Sequence, residues 1–114
     1  MKPFIEDMFK AIDGKNYDAM GGFFHPDISY ERPGFPNIEG FSGIMDFYKN
    51  RRLIREGTHH IDCVVASEDR AVSIGCFKGI LKDGSVAEER FADAYKIQDG
   101  RIIHRTTYFF RKAI

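Results

Sequence analysis

Residues 90–102 read RFADAYKIQDGRI. In an extended chain, successive side chains point to opposite sides. Phe91, Asp93, Tyr95 and Ile97 then share one face, and Arg90, Ala92, Ala94 and Lys96 share the other. The first face is bulky and aromatic, so it is the better interior face. Asp99-Gly100 signals a tight turn, and Ile102–Phe110 returns beside the first strand. Upstream, His59–Ala66, Ala71–Leu81 and Val86–Ile97 have the same β-branched and aromatic character. Ser67-Glu68-Asp69-Arg70 and Asp83-Gly84 separate them. Such short turns make consecutive strands antiparallel neighbours.

The first third of the chain has a helical period. Phe4, Ile5, Met8, Phe9 and Ile12 fall on one helical face, with Pro3 in the first turn and Asp13-Gly14 at the end. Asn16 caps a predicted second helix with Tyr17, Met20, Phe23 and Phe24 inward, and His25-Pro26-Asp27 stops it. A third runs from about Ser42 to about Leu53, with Phe41, Ile44, Met45 and Tyr48 on its apolar side. The predicted architecture is α+β: three N-terminal helices on a strongly curved antiparallel sheet, forming a cone with an internal pocket. Residues 1–114 are read as a single domain.

Composition narrows the function classes. Lys plus Arg and Asp plus Glu are 17 each, so no bulk positive field grips nucleic acid or an anionic membrane. Low self-repulsion also makes an oligomer easier. Cys63 and Cys76 are too few for a disulfide framework and read as reduced thiols. MKPFIEDMF carries acids in its first apolar stretch, unlike a signal peptide. The expected location is cytoplasmic. No HxH, HxxxH or CxxC spacing suggests a metal.

In sequence, NYDAMGGFFHPDISYERPG, IEGFSGIMDFYKN and RFADAYKIQDGRI together resemble the nuclear transport factor 2-like superfamily, in its SnoaL-like and ketosteroid isomerase-like branch. The resemblance spans nearly the whole chain and implies a cone-shaped fold and a homodimer joined through the outer sheet face. It leaves the activity open among isomerases, cyclases, dehydratases, epoxide hydrolases and non-catalytic binders. In steroid isomerases of this branch, an aspartate just before the first proline is the general base. Arg32 holds that position here. Their first-helix tyrosine falls near Asp7, and their second oxyanion-hole acid corresponds to Asp93. One element of three matches, so steroid isomerisation by that mechanism is not expected.

The candidate polar residues each carry two readings. Asp93 is a structural acid paired with arginine or tyrosine, or it is a general acid, base or oxyanion donor. Arg32 follows the interior row Ile28 and Tyr30. Arginine cannot be a general base at neutral pH. It pairs with Asp93, or grips a ligand anion in a fork, or lies exposed at the mouth. His59 and His104 are candidate proton shuttles, or else satisfied or exposed strand histidines. Within the strand of Ile61, Cys63 and Val65, His59 is the more apolar side and His60 the other. His104 shares its parity with Thr106 and Tyr108. Tyr30, Tyr95, Phe91, Tyr108 and Tyr17 are the candidate substrate-binding aromatics, or else core. The Arg51-Arg52 and Arg55 cluster attracts anions or is a solvated helix end.

Two functions follow. One is a cofactor-independent isomerase, cyclase or dehydratase acting on a small carbonyl or polyketide-like compound by acid–base chemistry. The other is a non-catalytic ligand-binding or dimerisation module.

Overall fold

The structure is a computed structural model and describes residues 1–113. Helix α1 is Lys2–Asp13. A 3-10 turn, Tyr17–Gly22, leads into strand β1, Phe24–Glu31. The short strand β2, Ile38–Glu39, precedes α2, Gly40–Asp46, whose last turn widens to a π turn over Phe47–Arg51. Four long strands complete the chain: β3 Ile54–Ser67, β4 Arg70–Leu81, β5 Val86–Gln98 and β6 Arg101–Phe109.

The α+β class and the four long strands agree with the sequence. The three N-terminal helices do not. Only α1 precedes the sheet, because the predicted second helix shrinks to one 3-10 stretch. Gly21-Gly22 explains this, since each glycine costs about 1 kcal/mol in a helix interior. Pro26 does not end a helix. It sits inside β1, where the pairing register breaks between Phe24 and Ser29, as a residue without an N–H requires.

One mixed sheet has the order β2-β1-β6-β5-β4-β3. Its pairings are antiparallel except β1 with β6, which run parallel. Helix α1 lays Ile5, Met8, Phe9 and Ile12 into the core and packs on β3. Helix α2 and its π turn bring Ile44, Phe47 and Tyr48 against β1. Each such side chain stabilises by about 1.5–3 kcal/mol on burial. The sheet contributes Phe24, Ile28, Tyr30, Phe91, Tyr95 and Ile102 to the same core.

Two irregularities decide which side chains face inward. On β6, His104 pairs with Lys96 but Ile102 pairs with Ile97, so Ile103 is an extra residue. Such a bulge reverses the alternation beyond it. On β3 the register also shifts between Ile61 and Cys63. Val64 consequently turns inward, while Cys63 and Val65 are exposed. No helix among the described residues is long and apolar enough to cross a membrane.

Candidate functional site

A cavity of about 180 Å³ opens between α1, the bend after β1 and the inner sheet face. Phe9, Phe35, Phe77, Phe91 and Phe109 supply its apolar walls. Arg32, His59, Asp93 and Arg105 are among its polar ones, with the ion pair of Glu89 and Arg111 also at its wall.

Asp93 is fully buried and is the terminal acceptor of a hydrogen-bond network. Arg105 donates to its Oδ2 from Nε at 3.1 Å and from Nη2 at 2.9 Å. The Tyr95 hydroxyl donates to Oδ2 at 3.1 Å, and the Thr107 hydroxyl to Oδ1 at 2.6 Å. Because the Thr107 proton is committed to Asp93, Tyr30 donates to Thr107, at 2.7 Å. Arg32 Nη1 in turn donates to the Tyr30 hydroxyl at 3.2 Å. Ser73 closes the other side on Tyr95 at 2.7 Å. Burial, then the neighbouring Asp93 carboxylate, pushes the Tyr95 hydroxyl well above the usual tyrosine range. Arg105 Nη1 donates to Tyr48 at 2.7 Å. Burial opposes charge on Arg105, but Asp93 and three tyrosines outweigh it and hold the guanidinium well above its usual range.

The arginine after Ile28 and Tyr30 therefore does not pair with Asp93. It connects to it through Tyr30 and Thr107, and Arg105 is the counter-ion. Arg32 has no carboxylate partner among the described residues. Its guanidinium lies over the rings of Phe47, 5.5 Å from the centroid, and Phe109, at 5.3 Å.

His59 is the second polar centre. Its Nδ1 lies 2.5 Å from Asp13 Oδ1, and its backbone N–H donates to Asp13 Oδ2 at 2.8 Å. A carboxylate only accepts, so Nδ1 carries the proton and Nε2 carries the lone pair. The ring stacks on Phe9 at 4.6 Å and tilts against Phe77 at 4.7 Å. Burial pulls the imidazole below its ordinary pKa, and the hydrogen bond to Asp13 only partly restores it. That shift favours the neutral ring over the imidazolium. Nε2 has no protein partner among the described residues, and it keeps accessible surface, since no buried side-chain polar atom is left unpaired.

The structure brings together Arg32, Asp93, His59 and Phe91 around one cavity, with Tyr30 and Tyr95 buried behind it. It separates the other three candidates. His104 is exposed and Tyr108 is 59% exposed, because the Ile103 bulge turns their row outward. Tyr17 lines a different cavity, with the Lys49 ammonium over its ring. Two site residues were missed. Arg105 shares the inward row that the bulge creates, and the adjacent pair Ile102-Ile103 is the local trace of that bulge. Asp13 reads in sequence as an ordinary helix end, and only packing of α1 on β3 gives it a partner.

Solved structures share this architecture. An NTF2-like protein of unknown function from Burkholderia pseudomallei superposes with a TM-score of 0.83 at 16% identity, covering 95% of this chain and 88% of that one. A putative SnoaL-like polyketide cyclase from Jannaschia sp. CCS1 gives 0.79 at 14% identity, over 95% and 83%. An LEH-like epoxide hydrolase from M. tuberculosis gives 0.80 at 18%, over 94% and 80%. At these identities the likeness shows the fold, which is NTF2-like. The SnoaL-like domain family matches residues 5–105, and the chain belongs to that family. No curated protein matches the sequence significantly.

Proposed function

We propose that the protein is a small-molecule enzyme of the isomerase, cyclase or dehydratase kind. It moves a proton on a compact carbonyl compound held among the phenylalanines. His59 Nε2 removes a proton from the carbon next to the carbonyl. The electron pair passes to the carbonyl oxygen, where Arg32 and Arg105 stabilise the negative charge. The imidazolium then returns the proton to another carbon, or to a departing hydroxyl that leaves as water. Asp13 orients the imidazole, and Asp93 acts as a positioning residue that holds Arg105. The observation that carries this reading is one cavity holding a carboxylate-oriented histidine and an arginine without a carboxylate partner among the described residues. Side chains suffice for these steps, so the reading calls on no cofactor.

A specific observation favours the second reading, a non-catalytic binding or dimerisation module. The cavity lies below the roughly 300 Å³ at which ligand pockets usually begin. The two are separated by proton exchange. In D2O, a panel of small enolisable ketones is followed by NMR for deuterium uptake. The enzyme reading expects exchange well above buffer for at least one compound, and His59→Gln slows it by about 10²–10⁴-fold. Saturable binding with no exchange across the panel establishes the binder instead.

Both readings take a small organic ligand, a cytoplasmic setting and a homodimer through the outer sheet face. Supporting the dimer, Ile74, Ala92 and Tyr108 lie in register across β4, β5 and β6, and Ile74 and Tyr108 are exposed.

A further inference from the structure

A second cavity of about 110 Å³ lies between the end of α1, the π turn and the start of β3. Lys15, Lys49, Arg52, Arg55 and Lys82 line it, together with Tyr17, and no acid does. Lysines and arginines at a surface are ordinary, and by themselves they mark nothing. Arg52 is different, because it is only 8% exposed. Its guanidinium makes no hydrogen bond or ion pair among the described residues, and its one close aromatic partner is the Tyr48 ring, 5.4 Å away. Burial pulls it below the usual arginine range, and the opposing influence of Tyr48 does not restore it. Asp13, the acid that acts on it, has both carboxylate oxygens engaged by His59. No buried side-chain polar atom is left unpaired among the described residues, so the Arg52 nitrogens keep accessible surface, and a largely buried guanidinium without a protein anion is poised to take one from outside.

We propose that this cavity is an oxyanion-binding site, with Arg52 at its base and Lys15, Lys49, Arg55 and Lys82 around it. The planar guanidinium presents a fork of donors that fits two oxygens of a phosphate or carboxylate. The surrounding ammonium groups add charge without demanding a fixed geometry. The size suits a single phosphate or carboxylate group, with any larger ligand body left outside the cavity. The site is separate from the acid–base cavity, although Ile54 borders both. It does not depend on the catalytic reading, and its test uses no turnover.

The test is titration of the intact protein with inorganic phosphate at constant ionic strength, with chloride as the balancing salt. Binding is read by calorimetry and by backbone amide shifts. Saturable binding is expected, with shifts centred on residues 15, 49, 52 and 55. Arg52→Met weakens it by at least tenfold, and Lys82→Gln by a few-fold. In phosphate-free buffer, Arg52→Met melts no lower than the wild type, because it removes an uncompensated charge. Phenyl phosphate and benzoate form parallel arms. Tighter binding of phenyl phosphate identifies the natural occupant as the charged end of an organic molecule, and equal or weaker binding identifies a free ion. A linear, non-saturating response overturns the site. So does saturable binding that Arg52→Met and Lys82→Gln both leave unchanged.

Discussion

Asp93 and Arg32 border the same cavity under opposite constraints. Asp93 accepts from Arg105 twice, from Tyr95 and from Thr107, so its oxygens are fully engaged. Asp93→Asn puts a donor against Arg105 and leaves a buried cation unpaired. The expected cost in urea denaturation is about 3–5 kcal/mol. Joint replacement, Asp93→Leu with Arg105→Met, costs much less than the sum of the single changes, because neither charge is then stranded. Arg32 has no ion to strand. Arg32→Met changes stability by no more than about 1 kcal/mol, the scale of a partly exposed cation–π contact. It lowers ligand binding or proton exchange instead. Equal destabilisation by Asp93→Asn and Arg32→Met contradicts this division. His59 adds a pH dependence. The unfolded ring takes up a proton at about pH 6.5, whereas the folded ring resists until a lower pH. Its contribution to stability is therefore complete above about 6.5 and is lost as the pH falls through the depressed folded value.

At the scale of elements, the bends and bulges of the sheet shape the cavity. Gly57 and Gly79 face one another across β3 and β4, and the Phe77 ring lies against both. A Cβ on Gly79 would sit 2.3 Å from the Glu56 carbonyl oxygen and 2.5 Å from that ring. The backbone there cannot yield, so Gly79→Ala destabilises by about 1–3 kcal/mol and perturbs the Phe77 wall, both readable in a thermal melt and in ring-proton shifts. The four long strands were legible in sequence because each is rich in β-branched and aromatic residues and turn signals separate them. Inward and outward faces were legible only as far as the first bulge. Phe91, Asp93 and Tyr95 lie on an unbroken run of β5 and face inward as their alternation requires. His104 and Tyr108 lie beyond the extra residue Ile103, and there the alternation misleads. The second helix failed for a local reason, because its apolar spacing could not offset two consecutive glycines in a six-residue stretch.

At the scale of the molecule, function depends on elements distant in sequence meeting at one place. Asp13 ends α1, His59 is on β3, Arg32 follows β1, and Arg105 is on β6. No spacing rule within one element announces that meeting, which is why the acid partner of His59 and the counter-ion of Asp93 escaped the sequence. The outer sheet face makes its own prediction. Light scattering on the intact chain is expected to give about twice the 13.1 kDa chain mass, and Ile74→Lys on that exposed apolar face to return it to one. A monomeric wild type removes the proposed interface. The acid–base centre has a more direct test that needs no substrate: a 15N NMR titration of the His59 ring. A proton on Nδ1, a bare Nε2 at neutral pH and a midpoint below about 6.5 are the expected results. A proton on Nε2, or a midpoint above 6.5, contradicts the assignment of His59 as the base.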